Sequence, residues 1–322
     1  MPNQLTKSAI AKRSELRTYE LLLGYACNAK CDFCYNPPLT PELLAQEIPL
    51  ERAAALMAKA RADGYEGVWF TGGEPTLRRD LPKLLLLAKK MGFRRIQIGT
   101  NGVRLADPGY ARRLAAAGLN YARVSLHAAS GPLHDELLAL PGAFEAALKS
   151  VANLRGLGVY VGINFVVTAR NYAELPPFFR LCERELGVSD FDVIFLHHRG
   201  MMELEGAKLS VRYETAVPYL RKAFEIYGES GRHPDRPTLV NLPPCVAPEL
   251  EQWIADWSVD STEDILIRPR SPAVDLHEMK EKQRLKGPGC AGCRLESRCL
   301  GYERDYAARY GAAEFVPIEA AS

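Results

Sequence analysis

The stretch "YELLLGYACNAKCDFCYN", residues 19–36, joins an apolar run to a loop that holds three cysteines. Its first seven residues have the aliphatic and aromatic composition of a buried β-strand. Cys27, Cys31 and Cys34 follow directly, so the loop presents three thiols at the carboxyl end of the predicted strand. The arrangement of the neighbouring strands determines the type of sheet and the side chains that lie near these thiols.

More β-rich runs follow the first one, and amphipathic stretches separate them. Most of those stretches end in a glycine, which is the usual C-terminal stop of a helix. Strands are predicted at residues 19–25, 66–72, 93–102, 120–128, 159–168 and 190–198. Helices are predicted at residues 50–64, 81–92, 110–118, 143–158 and 172–187.

Strands that alternate with helices imply βαβ units, a parallel sheet and an α/β fold. Six units are too few for a closed eight-stranded barrel, which leaves a partial (β/α)6 TIM-like barrel or a doubly wound sheet. Both place the active site at the carboxyl ends of the strands. The cysteine loop, "TGGEP", "GTNG", "SLHA" and "LHHRG" all follow predicted strands, so we expect them at one rim.

The β/α alternation is predicted to stop after about residue 205, where a helix at 210–228 precedes a proline-rich stretch. A shift of this kind indicates a domain boundary. The predicted domains are an N-terminal extension (1–17), a barrel (18–205) and a smaller cysteine-rich C-terminal domain (206–322).

Composition excludes several classes of protein. The first seventeen residues lack the apolar core of a secretory signal, and the longest aliphatic runs are too short to cross a bilayer. We therefore expect a cytoplasmic protein without membrane contact, in which eight close-spaced cysteines favour metal or redox roles over disulfides. A net charge of +2 does not indicate nucleic acid. No "GxSxG", "HExxH" or phosphate-loop motif indicates a hydrolase.

The spacing C-x3-C-x2-C supplies three ligands. A structural zinc ion takes four protein ligands, whereas a cubane iron–sulfur cluster on three thiolates keeps one iron open. With Phe33 before the third cysteine, the loop resembles the hallmark of the radical S-adenosylmethionine (SAM) enzymes. The resemblance extends over about residues 18–200.

This resemblance implies a [4Fe–4S] cluster on Cys27, Cys31 and Cys34, with SAM on the fourth iron. In the family, one electron cleaves SAM to methionine and a 5′-deoxyadenosyl radical, which abstracts hydrogen from the substrate. "GGEP" resembles the motif that binds the methionine amino group. The cofactor-binding residues that the resemblance implies are Phe33, Gly72, Gly73, Glu74, Pro75, Thr100, Ser125 and Asn164.

Four more cysteines lie near the C-terminus. Cys290, Cys293 and Cys299 form a ligand knuckle, and Cys245 supplies a fourth thiol. This arrangement resembles the twitch domains, which are related to SPASM domains and carry an auxiliary [4Fe–4S] cluster. A four-cysteine zinc site is the alternative, because spacing does not separate zinc from iron. Cys182, among apolar residues, is predicted to be a core thiol.

Two histidines are candidate catalytic residues. His197 follows the sixth predicted strand, where it could act as a general base or a hydrogen-bond donor. His127 in "SLHA" stands where many SPASM relatives have an aspartate, which weakens the case for a peptide-modifying role.

The leading hypothesis is hydrogen abstraction from a small-molecule substrate in natural-product or cofactor biosynthesis, with flavodoxin or ferredoxin as the electron donor. Peptide maturation is the alternative within the superfamily. RNA methylation is not expected, because the net charge is small and the extra methyl-carrying cysteines are missing. A non-catalytic iron–sulfur or zinc protein is the alternative from another class, and it predicts neither SAM binding nor 5′-deoxyadenosine formation.

Overall fold

The fold is a partial barrel of parallel strands with helices on its outer face. The computed structural model describes residues 16–196, 208–229, 237–255, 263–270 and 274–319. The first six strands are β1 (Thr18–Leu22), β2 (Gly67–Thr71), β3 (Arg95–Thr100), β4 (Tyr121–Ser125), β5 (Tyr160–Val167) and β6 (Phe191–Phe195). All six predicted strands are confirmed, and the chain is α/β as expected.

Each of these strands pairs in parallel with the strand before it. A doubly wound sheet reverses its strand order early in the chain, whereas β1 to β6 lie side by side in sequence order. The partial (β/α)6 barrel is therefore the correct alternative of the two.

The helices that connect these strands match the predicted ones, with two additions. The short helix α1 and the helix α5 were not predicted, and the last connecting helix continues as a π-turn over Leu181–Glu185. The helices are α1 (Pro41–Leu44), α2 (Leu50–Ala62), α3 (Leu81–Lys90), α4 (Pro108–Ala117), α5 (Gly131–Leu138), α6 (Ala143–Gly156) and α7 (Leu175–Arg180).

The sheet continues beyond residue 205, so the expected stop of the β/α alternation is wrong. The next helix, α8 (Tyr213–Glu229), leads to β7 (Thr238–Val240), which pairs in parallel with β6. On the other edge, β8 (Glu263–Ile267) pairs in parallel with β1, and β9 (Val274–Asp275) is antiparallel to β8. The domain boundary at 205 stays a prediction.

The remaining described elements form the C-terminal part of the chain. A two-stranded antiparallel sheet pairs β10 with β11. These elements are α9 (Leu276–Gln283), β10 (Arg284–Leu285), β11 (Tyr302–Glu303) and α10 (Arg304–Tyr310). No described helix has the length and apolar character needed to span a membrane.

Alternation along the strands separates an apolar outer face from a polar lumen. Leu21, Phe70 and Ile163 face the helices and are fully buried in the main core. Arg123 faces the lumen instead, where its guanidinium pairs with Asp190 at 2.8 Å and Asp192 at 3.4 Å. This ion cluster lies toward the amino-terminal end of the sheet, so the open part of the lumen lies at the carboxyl ends.

Candidate functional site

Cys27, Cys31 and Cys34 lie together in the loop that follows β1. Burial raises the pKa of the Cys27 thiol to about 11, and it also raises the pKa values of Cys31 and Cys34. The charges of Cys27 and Cys34 both act on Cys31, so the three thiols are near neighbours. Thiolates in such a place are unfavourable unless a cation stabilises them, which is what an iron–sulfur cluster does.

The "TGGEP" loop after β2 packs directly against this cysteine loop. The Gly73 N–H donates to the Gly24 carbonyl at 2.8 Å, and the Glu74 N–H donates to the Ala26 carbonyl at 2.8 Å. A Cβ atom at Gly72 would lie 2.3 Å from the Gly24 oxygen, and one at Gly73 would lie 2.2 Å from the Ala26 oxygen. Glycine is therefore required at both positions, because only glycine lets the two backbones approach so closely.

Glu74 connects β2 to the end of β3 through its buried carboxylate. Its Oε1 atom accepts from the Thr76 N–H at 3.0 Å, from the Thr76 hydroxyl at 2.6 Å and from the Thr100 hydroxyl at 2.8 Å. Its Oε2 atom accepts from the Asn101 N–H at 2.8 Å. Burial still raises the pKa of Glu74 despite these donors. Because Oε2 has one protein donor and two lone pairs, it has room for one more donor, such as an ammonium group.

Asn101 links the end of β3 to the cysteine loop. Its Nδ2 atom donates to Asn28 Oδ1 at 2.8 Å, and its Oδ1 atom accepts from the Val103 N–H at 3.1 Å. Asn28 lies directly after Cys27, so the loops after β1, β2 and β3 form one hydrogen-bonded unit. The candidates Glu74 and Thr100 meet in this unit, and Pro75 opens the buried turn that follows Glu74.

Ser125 and Asn164 face the lumen from neighbouring strands. The two residues are partners in the parallel register of β4 and β5. The Asn164 Oδ1 atom is buried and has no hydrogen-bond partner in the structure. A buried acceptor of this kind is unfavourable unless a ligand donates to it, so the arrangement fits a cofactor or substrate bearing hydroxyl or amino groups.

His127 is buried at the end of β4. The Val166 N–H donates to its Nδ1 atom at 3.1 Å, so the ring is neutral with its proton on Nε2. Burial lowers the pKa of His127 well below its ordinary value, and the charge of His134 adds to this effect. The ring of Phe33 meets the His127 ring edge-on at 4.9 Å between centroids. In this structure His127 positions the cysteine loop, and a catalytic role stays a hypothesis.

His134 is a buried residue that sequence reasoning missed. Its Nδ1 atom accepts from the backbone N–H of His127 at 3.1 Å. Burial lowers the pKa of His134 to about 4. The other candidate histidine, His197, lies outside the described residues. Cys182 is fully buried in the main core, as predicted.

Tyr35 lies in the cysteine loop, directly after Cys34. Burial raises the pKa of its phenol, yet 46% of the residue is accessible. The hydroxyl end of Tyr35 is therefore enclosed by protein, while another part of the residue is accessible. Its hydroxyl lies beside that of Thr71, which donates to Glu20 Oε1 at 2.7 Å.

The four C-terminal cysteines line a second pocket. Burial raises the pKa of Cys245 to about 12, and the charges of the other three thiols act on it. The Cys293 N–H donates to the Cys290 carbonyl at 3.1 Å, which forms the turn of the knuckle. The pocket is otherwise lined mainly by apolar or aromatic residues, among them Pro243, Pro244, Leu295, Tyr302 and Phe315.

The described residues contain no three His, Cys, Asp or Glu side chains placed to hold a single metal ion. Thiolates on one ion lie within about 4 Å of each other, whereas a cluster binds each thiolate through a different iron. Both sets of thiols are therefore candidate ligands of a cluster rather than of a single ion.

Comparison with known families identifies the barrel region. The model of the Radical SAM superfamily matches residues 21–182, which is half of the 322-residue chain. The matched region begins in β1 and ends in the π-turn after α7, so it contains the cysteine loop and the "GGEP" turn.

Two curated proteins illustrate what this chain is similar to. The Fe-coproporphyrin III synthase of Methanosarcina barkeri is 36% identical over 159 residues, or 49% of this chain and 39% of that protein. A probable GTP 3′,8-cyclase of Saccharolobus solfataricus is 36% identical over 193 residues, or 59% of this chain and 60% of that protein. The chain therefore spans less than two thirds of the length of these relatives.

Solved structures share the fold at low sequence identity. SuiB of Streptococcus suis bound to S-adenosylmethionine matches with a TM-score of 0.68 and 16% identity, over 94% of this chain and 76% of that one. Native anSMEcpe with bound AdoMet matches with a TM-score of 0.62 and 15% identity, over 92% of this chain and 95% of that one. At such identities the likeness shows the fold alone.

Proposed function

Because the chain belongs to the radical SAM superfamily, we propose that it abstracts hydrogen from a small-molecule substrate in natural-product or cofactor biosynthesis. The chain is an enzyme of that superfamily. The observation that carries the proposal is the open set of three thiols, hydrogen-bonded through its own loop to "GGEP" at the mouth of the lumen. The named relatives, an Fe-coproporphyrin III synthase and a probable GTP 3′,8-cyclase, support the small-molecule substrate.

In this proposal Cys27, Cys31 and Cys34 hold a [4Fe–4S] cluster. When bound, the cluster and SAM supply a 5′-deoxyadenosyl radical that takes a hydrogen atom from the substrate. The residues of the chain bind and orient: Glu74 Oε2 accepts from the methionine ammonium, and the glycines give it access to the cysteine loop. Asn164 Oδ1 accepts from a hydroxyl or amino group of the cofactor, with Ser125 beside it.

Three further residues support this site: Phe33, Pro75 and Thr100. Thr100 uses its hydroxyl on Glu74, which makes it a positioning residue for that carboxylate. Phe33 packs its ring against His127 and so holds the cysteine loop against the loop that follows β4.

The C-terminal pocket is proposed to hold an auxiliary [4Fe–4S] cluster on Cys245, Cys290, Cys293 and Cys299, in a domain of the twitch type. Four thiols in an apolar pocket leave no ligand position for a substrate. The role that fits is electron transfer, and zinc is the alternative occupant. A flavodoxin or a ferredoxin is the proposed external electron donor.

The test is deuterium transfer under anaerobic reduction. We expect 5′-deoxyadenosine and methionine from SAM, and one deuterium in 5′-deoxyadenosine when the correct small molecule carries the label at the reacting carbon. GTP is the first candidate to label, because a curated relative acts on it. No 5′-deoxyadenosine above that of the Cys34→Ala variant would contradict the proposal.

Peptide modification is the second candidate function, and one observation favours it. A structural neighbour, SuiB, has been solved bound to its precursor peptide SuiA, with a TM-score of 0.67 over 94% of this chain. Deuterium transfer from a labelled peptide, and not from small molecules, would assign this function instead.

A further inference from the structure

One wall of the lumen carries side chains that the proposed cofactor site does not use. Glu20 and Trp69 are partners in the register of β1 and β2, and Thr71 follows on the same face. Val68 and Phe70, on the opposite face, belong to the main core. Trp69 and Thr71 therefore point into the lumen, on the side away from Ser125 and Asn164.

Trp69 presents a hydrogen-bond donor without an acceptor. Its indole Nε1 atom is buried and has no hydrogen-bond partner in the structure. Gly99 of β3 lies opposite: a Cβ atom there would sit 3.3 Å from Nε1, closer than most Cβ contacts. Glycine at position 99 therefore places no side chain over the N–H, and an acceptor atom of a bound molecule that displaces the atoms now burying it would satisfy it.

Arg268 adds a positive charge to this wall. Its chain neighbour Ile267 pairs with Leu21 of β1, and Leu266 pairs with Glu20. By alternation, residue 268 lies on the same face as Leu266 and Glu20, which is the lumen face. No carboxylate of the described residues pairs with Arg268, and its charge acts on the Tyr35 phenol.

Tyr35 completes the wall with an accessible ring. Nearly half of the residue is accessible, and its hydroxyl lies beside Thr71 on the lumen face of β2. Asn36 donates to the Gly72 carbonyl at 3.2 Å and so fixes this end of the cysteine loop against β2. Two aromatic side chains, an N–H donor and a guanidinium thus share one lumen wall, defined as Tyr35, Trp69, Gly99 and Arg268.

We propose that this wall binds the substrate as a planar conjugated molecule that carries a ring acceptor atom and an anionic oxygen group. Aromatic rings favour a planar partner, and the guanidinium favours carboxylate or phosphate oxygens. The indole N–H selects an acceptor on the ring system. The inference rests on the proposed function, because it names the substrate class of the same site.

The test is calorimetric binding to the cluster-loaded enzyme in the presence of SAM, under anaerobic conditions and without a reductant. GTP probes the phosphate source of the anion, and coproporphyrin III probes the carboxylate source. We expect saturable binding of one of them, weakened about tenfold or more by Arg268→Gln. Arg270→Gln, which removes an exposed charge two residues away, should leave it within about twofold.

Two further variants test the indole. Trp69→Phe removes the N–H donor, and Gly99→Ala covers it while Trp69 itself stays, so both should weaken the same probe several-fold. Iron content and melting temperature serve as folding controls. If neither probe binds, or if Arg268→Gln and Gly99→Ala leave binding unchanged, the inference is wrong.

The binding test is separable from the proposed function. Calorimetry requires no cleavage of SAM, whereas the proposed function requires 5′-deoxyadenosine. Arg268-dependent binding without 5′-deoxyadenosine would overturn the reaction and keep the substrate class. Formation of 5′-deoxyadenosine without binding of either probe would overturn the substrate class alone.

Discussion

The two cysteine sites of the molecule differ in how the fold holds them. The first has three thiols in a loop that backbone hydrogen bonds and a buried carboxylate fix against β2 and β3. The second has four thiols in a pocket near exposed ion pairs, in which Arg294 and Arg298 both meet Glu251. Exposed ion pairs contribute little to stability, so the second site depends more on the group that it binds.

The difference indicates that the two cysteine sites have different functions. An incomplete ligand set that is rigid before binding suits a position where a small molecule must coordinate and react. A complete set in an apolar pocket suits a group that only transfers electrons or stabilises the fold. Each prediction below changes one side of this comparison.

The largest effect is expected from Cys34→Ala in the first site. Loss of one of three thiolates should lower 5′-deoxyadenosine formation by about 10³-fold or more, since no other described ligand can replace it. Cys182→Ala is the matched control, because it removes a fully buried thiol from the core and should keep the activity at reduced stability. Liquid chromatography of the products measures both. Equal losses in the two variants would contradict the assignment.

The next effect is expected from Gly73→Ala. Its Cβ atom would overlap the Ala26 and Tyr25 carbonyl oxygens, so the two loops must separate. We expect SAM binding weakened by about tenfold or more and unfolding free energy lowered by about 3 kcal/mol. Gly156→Ala is the control, because a Cβ atom there meets nothing within 4 Å. Calorimetry measures the SAM affinity, and denaturant titration measures the unfolding free energy. An unchanged SAM affinity in Gly73→Ala would show that the contact between the two loops is not required for SAM binding.

Removal of iron should affect the second site more than the first. After anaerobic chelation we expect tryptic cleavage after Arg294 and Arg298 to become about tenfold faster, because the knuckle loses its bound group. Cleavage after Lys90, at the end of α3, should change little. Mass spectrometry of the fragments measures both rates. Equal acceleration at Lys90 would mean that the two regions unfold together.

The smallest effect concerns the histidine pair behind the first site. The pKa of His134 is lowered to about 4, so the unfolded chain takes up the proton first as pH falls. Its stabilising contribution is complete above the ordinary pKa near 6.5 and is lost as pH falls toward 4. From pH 8 to pH 6 we expect the unfolding free energy to fall by about 1 kcal/mol.

His134→Asn retains an acceptor for the His127 N–H but does not titrate. Denaturant titrations at the two pH values should therefore show a smaller pH dependence in this variant, by about the same 1 kcal/mol. An identical pH dependence in wild type and variant would assign the titration to other groups.

The strands that form the barrel were predictable because each is a short apolar run, or alternates apolar with polar residues, and is followed by distinctive loop residues. β7 was not predictable, because three residues between prolines give no periodic signal. Its pairing with β6 depends on the tertiary structure. Helix α5 was missed because it begins with Gly131 and Pro132, which resemble a turn.

The ligand residues were predictable from spacing, but their connections were not. That Thr100 donates to Glu74, or that His134 accepts from His127, depends on which strands are neighbours. The uncovered Trp69 N–H depends on the glycine opposite it in β3. Such contacts depend on the register between neighbouring strands. A single sequence does not show this register until the complete fold is known.

The central claim is tested most directly by iron and sulfide analysis with electron paramagnetic resonance on anaerobically reconstituted protein. The account predicts about eight irons in the wild type and about four in the Cys27/Cys31/Cys34→Ala variant. It also predicts a reduced signal that shifts on addition of SAM and is lost in that variant. A signal that does not respond to SAM, or that persists without the three cysteines, would contradict it.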